Sequence, residues 1–147
     1  MTLRYLLSMD TDSLTASCWQ YKSDTASLKI IRDNLRLFLL SRNSTDIDVD
    51  KIIIAVNEAC MNIVQHANKG QYCGFINVSC KVDENVLSII ISDDAKFSDS
   101  PQLMPVNNDL LKPGGRGLHI IEEIMDSMIF SHKDGTRGNI LTLMKYL

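Results

Sequence analysis

The order in which helix-type and strand-type hydrophobic patterns follow one another restricts the fold of this chain more than any other sequence feature. Strand-forming residues interrupted by polar turn residues predict one or two strands within residues 3–24. Two helices are expected next, the first with Thr25 as its N-cap and the second over residues 48–68, with Gly70 as its stop signal. A strand pair, a long irregular stretch, a third helix over residues 118–128 and two further strands complete the order.

This order predicts a two-layer α+β sandwich in which the helices cover one face of a mixed, mostly antiparallel sheet. Residues 74–82 and 85–93 are expected to form a hairpin around Asp83 and Glu84, and the run "LSIIIS" in its second strand is expected to be buried on both faces or nearly so. The 147 residues suit one core, and the sequence contains no internal repeat or low-complexity tract. We therefore expect a single domain over residues 1–147.

Apolar residues at helical spacing give each helix a predicted core face. These residues are Leu28, Ile31, Leu35 and Leu39 in the first helix, Ile52, Val56, Cys60, Ile63 and Ala67 in the second, and Leu118, Ile121, Ile124, Met125 and Met128 in the third. Other apolar residues fall outside these faces, namely Leu37, Phe38 and Leu40 in the first helix and Trp19 and Tyr21 in the N-terminal strand. They belong either to the core or to a dimer or partner surface.

Charge and hydropathy exclude several classes of function. The net charge is -3 and the pI about 5.5, so the chain lacks the basic character that nucleic-acid binding usually needs. No apolar run approaches the roughly 18 residues of a membrane span, and no signal peptide opens the sequence. No two of the four cysteines have the C-x-x-C spacing of a zinc or redox site. We expect a cytoplasmic protein that binds neither nucleic acid nor membrane.

The second predicted helix carries a carboxylate, an amide and an imidazole at four-residue intervals, at Glu58, Asn62 and His66. Glu58 and Asn62 project together on the side opposite the core face, with Cβ atoms roughly 6 Å apart, and His66 lies nearer its edge. Carboxylate and amide oxygens suit Mg²⁺ and its water shell, and the carboxylate can take a proton from an attacking hydroxyl. The alternative is an ordinary solvated helix face.

Two other segments have the residue types of a nucleotide site. Asp93 and Asp94 follow a hydrophobic strand, where an Asp can accept a hydrogen bond from the amino group of adenine; the alternative is a polar turn. Glycines at positions 114, 115 and 117 precede the third helix, where glycine and a helix N-terminus favour an anion, and Lys112 and Arg116 add positive charge. The alternative there is a hinge and helix start. The long irregular stretch before these glycines is typical of a functional lid.

Three segments carry a resemblance to a known superfamily. "AVNEACMNIVQHA" resembles the N-box, "ISDDAKF" the Asp box and "GGRGLHIIEEIMD" the second glycine box of the ATPases that include gyrase B, a class of heat-shock chaperones, histidine kinases and MutL. Over about residues 25–147 the sequence is most similar to the anti-sigma-factor serine kinases of the RsbW group. The resemblance implies the Bergerat (histidine-kinase-like ATPase) fold, with ATP bound between the helices and the lid.

The resemblance also implies roles for individual residues. Glu58 is expected to be the general base towards a partner serine, Asn62 the Mg²⁺ ligand and Asp93 the acceptor for the adenine amino group. The remaining residues expected around ATP are His66, Ala95, Gly114, Gly115, Arg116, Gly117, Leu118 and Asn139. Ala95 and Asn139 depart from the family pattern, which usually has glycine and threonine at these positions, and both departures lie in the nucleotide pocket.

Three functions remain open at this point. The first is an ATP- and Mg²⁺-dependent serine/threonine kinase that acts by partner switching: it holds a sigma factor, phosphorylates a STAS-type anti-sigma antagonist, and forms a homodimer, as members of the resembling family usually do. The second is a protein-binding module that is modulated by nucleotide and has weak or no kinase activity. The third, a histidine-kinase catalytic domain, needs an upstream phosphoacceptor helix, whereas the residues before Thr25 have a strand pattern.

Overall fold

The computed structural model describes residues 16–42, 47–68, 74–94, 115–132 and 138–147, with the backbone alone at 66–68 and 115–116. Eight elements lie in these ranges. In chain order they are β1 (Ala16–Lys22), α1 (Thr25–Leu40), α2 (Val49–Asn68), β2 (Phe75–Asp83), β3 (Val86–Asp93), α3 (Gly115–Ile124), β4 (Ser127–His132) and β5 (Asn139–Tyr146). Gly70, Lys112 and the long irregular stretch lie outside the described residues.

The five strands form one sheet in the order β1-β2-β3-β5-β4, and every pairing described is antiparallel. The predicted two-layer sandwich with a mostly antiparallel sheet is confirmed. β3 and β5 are hydrogen-bonded neighbours although α3 and β4 lie between them in the sequence. This arrangement places the end of β3 next to the start of β5, which matters for the site described below.

The three helices form one layer in which α2 packs between α1 and α3. The predicted core face of α1 is confirmed at Ile31, Leu35 and Leu39, which are all buried. Ile52, Val56, Cys60 and Ile63 are likewise buried on α2, whereas the side chain of Ala67 is not among those described. A fully buried apolar side chain contributes about 1.5–3 kcal/mol, so these faces supply much of the stability of the helix layer.

The helix α1 begins one residue earlier than the sequence predicts, because its N-cap is Asp24 and not Thr25. Asp24 has extended backbone angles, and its Oδ1 accepts hydrogen bonds from the backbone N–H and the hydroxyl of Ser27, both at 2.9 Å. Both residue types are good N-caps. A carboxylate at position 24 reaches the N–H three residues ahead, and Thr25 then becomes the first helical residue.

One face of the sheet supports the helices and the other is partly exposed. Alternate side chains of the neighbouring strands β2 and β3 are buried on the helix side of the sheet. These residues are Ile76, Val78 and Cys80 on β2 and Leu87, Ile89 and Ile91 on β3. The prediction that the "LSIIIS" run is buried on both faces was wrong, since Ile90 between two buried neighbours is 41% exposed. The described helices cover only one face, so the run follows the alternation of an antiparallel strand with one solvated side.

The third helix lies earlier in the sequence than predicted, because it begins at Gly115 and ends at Ile124. Leu118 and Ile121 are buried as expected, and Met125 is buried just after the helix end. Met128, however, lies in β4 opposite Leu143. Met128 therefore has a helical spacing from Met125 by coincidence, and its apolar side chain belongs to the sheet.

The apolar residues outside the predicted helix faces divide between core and surface. Tyr21 and Phe38 are buried, and Trp19 packs edge-on against Phe38 with ring centroids 6.1 Å apart. Leu37 and Leu40 are exposed.

Among the described residues, no helix is both long enough and apolar enough to cross a membrane.

Candidate nucleotide-binding site

Glu58 lies at the contact between α2 and α3. Its neighbour Asn57 faces the other way, where its Oδ1 accepts a hydrogen bond of 2.8 Å from Arg32 on α1. The Glu58 carboxylate lies against Gly117: a Cβ placed on that glycine would stand 2.8 Å from Glu58 Oε2. Gly117 is the third residue of α3, where backbone N–H groups have no partner within the helix. The structure thus brings together two of the residues predicted for the site.

Asn62 follows Glu58 by one helical turn and is half-buried. Its Nδ2 atom is buried and has no hydrogen-bond partner in the part of the chain that the structure describes. Leaving such a group unpaired costs about 1–3 kcal/mol. An amide with unused hydrogen-bonding capacity is expected where a ligand, an ion with its water shell or an ordered water completes the site.

Asp93 ends β3 and is 5% exposed, facing the helix side of the sheet. Its Oδ1 accepts two hydrogen bonds from Asn139, one from the backbone N–H at 3.2 Å and one from Nδ2 at 3.1 Å. The carboxylate is therefore held in a fixed plane by the first residue of β5. Two further residues predicted for the site, Asp93 and Asn139, are thus in direct contact.

Asp94, the second carboxylate of the pair, has a structural role. Its Oδ1 accepts hydrogen bonds from the backbone N–H groups of Gly74 at 2.8 Å and Phe75 at 3.4 Å. These bonds fasten the start of β2 to the end of β3. Of the two alternatives for this segment, Asp94 fits the polar turn that ends a strand, whereas Asp93 points into the layer between sheet and helices.

The other predicted site residues are covered only in part. Leu118 is buried in the hydrophobic core and fixes α3 against it. Gly115 begins α3, while the side chains of His66 and Arg116 and all of Ala95 and Gly114 lie outside the described residues. For these positions the sequence prediction stays a prediction.

Sequence reasoning missed His132, which ends β4. The strand register pairs His132 with Asn139, and His132 Nδ1 lies 3.0 Å from Asn139 Oδ1. The signal is present in outline, because the sequence predicts two further strands after the third helix. The register of that hairpin was needed to place the imidazole beside the asparagine.

The residues described at this site have the chemistry to bind ATP and Mg²⁺. Mg²⁺ commonly uses one or two oxygen ligands from the protein and takes the rest from water and phosphates. The Asn62 side chain offers one such oxygen, Oδ1, while its unpaired Nδ2 is a donor that suits a phosphate oxygen or a water molecule and not the metal ion itself. The glycine at position 117 leaves the α3 N-terminus open to close approach, as shown by the Glu58 carboxylate lying against it.

Comparisons with known proteins give a consistent result. The profile of the histidine kinase-like ATPase domain family matches residues 21–145. The serine-protein kinase RsbW of Bacillus velezensis is 33% identical over 108 residues, covering 68% of this chain and 66% of that protein. The protein of the same name from Staphylococcus aureus strain JH9 is 30% identical over 129 residues, covering 82% and 79%. The match thus spans about two thirds to four fifths of these relatives.

A solved structure, the histidine kinase AdeS of Acinetobacter baumannii, overlaps more weakly. Its TM-score is 0.47 at 15% identity, and the overlap covers 86% of this chain and 66% of that one. The match to the family profile does not depend on it.

Proposed function

Since this chain belongs to the histidine kinase-like ATPase domain family and resembles its RsbW serine-protein kinases, we propose that it is an ATP-dependent serine/threonine protein kinase. The observation that carries the proposal is the position of Glu58, whose carboxylate lies against Gly117 at the start of α3, one helical turn from Asn62. A carboxylate, an amide and a helix N-terminus therefore lie close together. These groups support the proposal, because enzymes catalyse phosphoryl transfer with positioned groups that orient the attacking hydroxyl and stabilise charge on the phosphate oxygens.

In the proposed reaction, the serine hydroxyl of a partner protein attacks the γ-phosphorus of ATP. A new O–P bond forms, the bond from the γ-phosphorus to the bridging oxygen breaks, and ADP leaves with the electron pair. Glu58 accepts the hydroxyl proton. Asn62 would hold Mg²⁺, which would supply positive charge near the phosphate oxygens.

Two parts of the chain bind the ends of the nucleotide in this proposal. The N–H groups of the α3 N-terminus, which have no partner within the helix, face the phosphates and stabilise their negative charge. Asp93 accepts a hydrogen bond from the adenine amino group, with its carboxylate held by Asn139. His66 and Arg116 complete the surroundings of the nucleotide, together with Ala95, Gly114, Gly115 and the backbone of Leu118, whose side chain lies in the core.

By analogy with its family, we propose that the kinase acts in a cytoplasmic partner-switching module as a single domain and a homodimer. It would hold a sigma factor and phosphorylate a STAS-type anti-sigma antagonist. The names of the relatives support the serine-kinase activity, and the partners are carried over from the RsbW group as a whole.

The test is transfer of labelled phosphate from ATP to a purified STAS-type antagonist in the presence of Mg²⁺. Glu58→Gln keeps the size of the side chain and removes its basicity, so we expect transfer to fall by about 10²-fold or more. Calorimetry should show Mg²⁺-dependent ATP binding within about threefold of wild type. A wild-type level of transfer by Glu58→Gln would contradict the assignment of the base.

Glu123→Gln is the matched control, because Glu123 is exposed on α3 and the substitution makes the same chemical change. It should transfer phosphate at the wild-type rate. A serine-to-alanine variant of the antagonist identifies the acceptor residue and should take up no label.

One observation favours the second candidate, a nucleotide-modulated binding module. Asn139 stands where the family usually has threonine, and it already donates two hydrogen bonds to the carboxylate that would hold adenine. If the wild-type protein binds its antagonist or sigma factor but transfers no phosphate, this second function replaces the kinase.

A further inference from the structure

Three polar residues meet at one end of the sheet, on its three adjacent strands β4, β5 and β3. His132 is paired with Asn139 in the register of β4 and β5. In the register of β3 and β5, Ser92 pairs with Ile140, which sets Asp93 beside Asn139. His132 Nδ1 is 3.0 Å from Asn139 Oδ1, and Asn139 Nδ2 is 3.1 Å from Asp93 Oδ1. We call this arrangement the His132–Asn139–Asp93 chain.

The chemistry of the three groups fixes the direction of these hydrogen bonds. An ionised carboxylate only accepts, so the end of the Asn139 side chain that faces Asp93 must be the NH₂ group. The amide oxygen then faces His132 and needs a donor. A histidine can provide one at Nδ1 only if that nitrogen carries the proton. His132 therefore donates to Asn139, and Asn139 donates to Asp93.

The His132–Asn139–Asp93 chain also restricts which further hydrogen bonds the Asp93 carboxylate can accept. A carboxylate oxygen has two lone-pair sites, and Asp93 Oδ1 already accepts from the Asn139 backbone N–H and from its Nδ2. Guanine presents two N–H donors side by side, which a carboxylate binds with both oxygens. Adenine presents one amino group, which needs only one oxygen. A carboxylate held in this way suits adenine and disfavours guanine.

We propose that His132 is a positioning residue for nucleobase selection, which holds Asn139 so that Asp93 accepts a hydrogen bond from adenine and not the paired donors of guanine. The proposal rests on the proposed function, because it needs the base to bind at Asp93. His132 itself is exposed and lies on an edge strand, so replacing it leaves the core intact.

The first test needs no nucleotide. Two-dimensional ¹H–¹⁵N NMR of the imidazole, at a pH where it is neutral, reports which ring nitrogen of His132 carries the proton. We expect the Nδ1–H form, whereas a free histidine side chain favours Nε2–H. In Asn139→Ala the ring should return to the Nε2–H form. An Nε2–H form in the wild-type protein would overturn the chain of hydrogen bonds.

The second test measures the ratio of ATP to GTP affinity by calorimetry. An asparagine at position 132 can place a donor near the position of Nδ1, whereas an alanine cannot. We expect His132→Ala to lower the ATP-over-GTP ratio about five- to tenfold, as for loss of one hydrogen bond, and His132→Asn to restore most of it. The ratio is the informative quantity, because a merely structural defect would weaken both nucleotides alike.

Ser131→Ala is the control, since Ser131 is exposed on β4 and adjacent side chains of a strand point to opposite faces. It should leave the ratio unchanged. If wild type prefers ATP and His132→Ala has the same ratio, this inference is wrong while the proposed function stands. If wild type binds no adenine nucleotide, both are wrong.

Discussion

Gly117 and Glu58 are so close that the space between them limits what position 117 can be. Glycine is costly inside a helix, by roughly 1 kcal/mol relative to alanine, so its presence in α3 calls for a reason. The reason is the Glu58 carboxylate, since a Cβ at position 117 would stand 2.8 Å from Oε2. The carboxylate is the far end of a flexible side chain, so it can move aside, but it then leaves its place beside α3.

We therefore expect Gly117→Ala to lower the kinase activity without lowering the stability of the protein. The free energy of unfolding, measured with urea, should stay the same or rise by up to about 1 kcal/mol, because alanine favours the helix. Phosphate transfer to the antagonist should fall by about 10–10²-fold, because a displacement of about 1 Å in a catalytic group has that effect.

Glu123→Ala, an exposed substitution on the same helix, controls for general effects on α3 and should leave transfer unchanged. Full transfer activity in Gly117→Ala would show that the position of Glu58 does not matter for the reaction.

At the residue scale, the sequence predicts well which side chains of one helix lie on the same side. The spacing of Glu58 and Asn62 predicted their common side, because helix geometry is regular. It did not reveal the partners of Asp94, since Gly74 and Phe75 lie about 20 residues away and approach it only through the pairing of β2 with β3. His132 was missed for the same reason.

At the scale of elements, the end of β3 has two carboxylates with different tasks. Asp93 is bound by β5 on the helix side of the sheet, and Asp94 holds the start of β2. The sequence predicted this strand and its hairpin well, because a strand of alternating or continuous apolar residues followed by two carboxylates has a clear end. It predicted burial on both faces wrongly, since periodicity does not show how many layers a domain has.

Substitutions at the two positions should therefore have different effects. Asp94→Ala removes the acceptor for two backbone N–H groups, so we expect thermal or urea unfolding to show a loss of about 1–2 kcal/mol with ATP affinity little changed. Asp93→Asn keeps the shape of the side chain and loses its charge, so ATP should bind about tenfold or more weakly with a smaller loss of stability. Equal effects of both variants on ATP affinity would contradict this division.

At the scale of the whole molecule, the described part of the core buries two thiols and one phenol, which are neutral near pH 7. Burial raises the pKa of Cys60 from 9.0 to about 12 and that of Tyr21 from 10.0 to about 12, and it raises the pKa of Cys80 as well. For Tyr21, a hydrogen bond of 2.8 Å donated by Asn34 opposes the shift but does not cancel it. In the unfolded chain these groups ionise at their ordinary values, so the folded state binds more protons at alkaline pH.

We therefore expect the free energy of unfolding to fall as pH rises above about 9, by at most about 1.4 kcal/mol per pH unit for each group. The two thiols should contribute from about pH 9 and Tyr21 from about pH 10. Guanidinium unfolding between about pH 7 and pH 11 measures this directly. Cys18→Ser, at an exposed thiol, should show the same decline, and a stability independent of pH over this range would contradict the burial of all three groups.

The position of β5 has a consequence for the order in which the molecule is assembled. β5 follows every other described element along the chain, yet it lies inside the sheet, between β3 and β4. A nascent chain that has emerged only as far as residue 138 presents an open hydrogen-bonding edge along β3, and β4 has no strand to join. Asn139, the first residue of β5, reaches Asp93 at that same step. Protection of the nascent chain from proteolysis by bound ATP should therefore appear abruptly, once β5 has been synthesised.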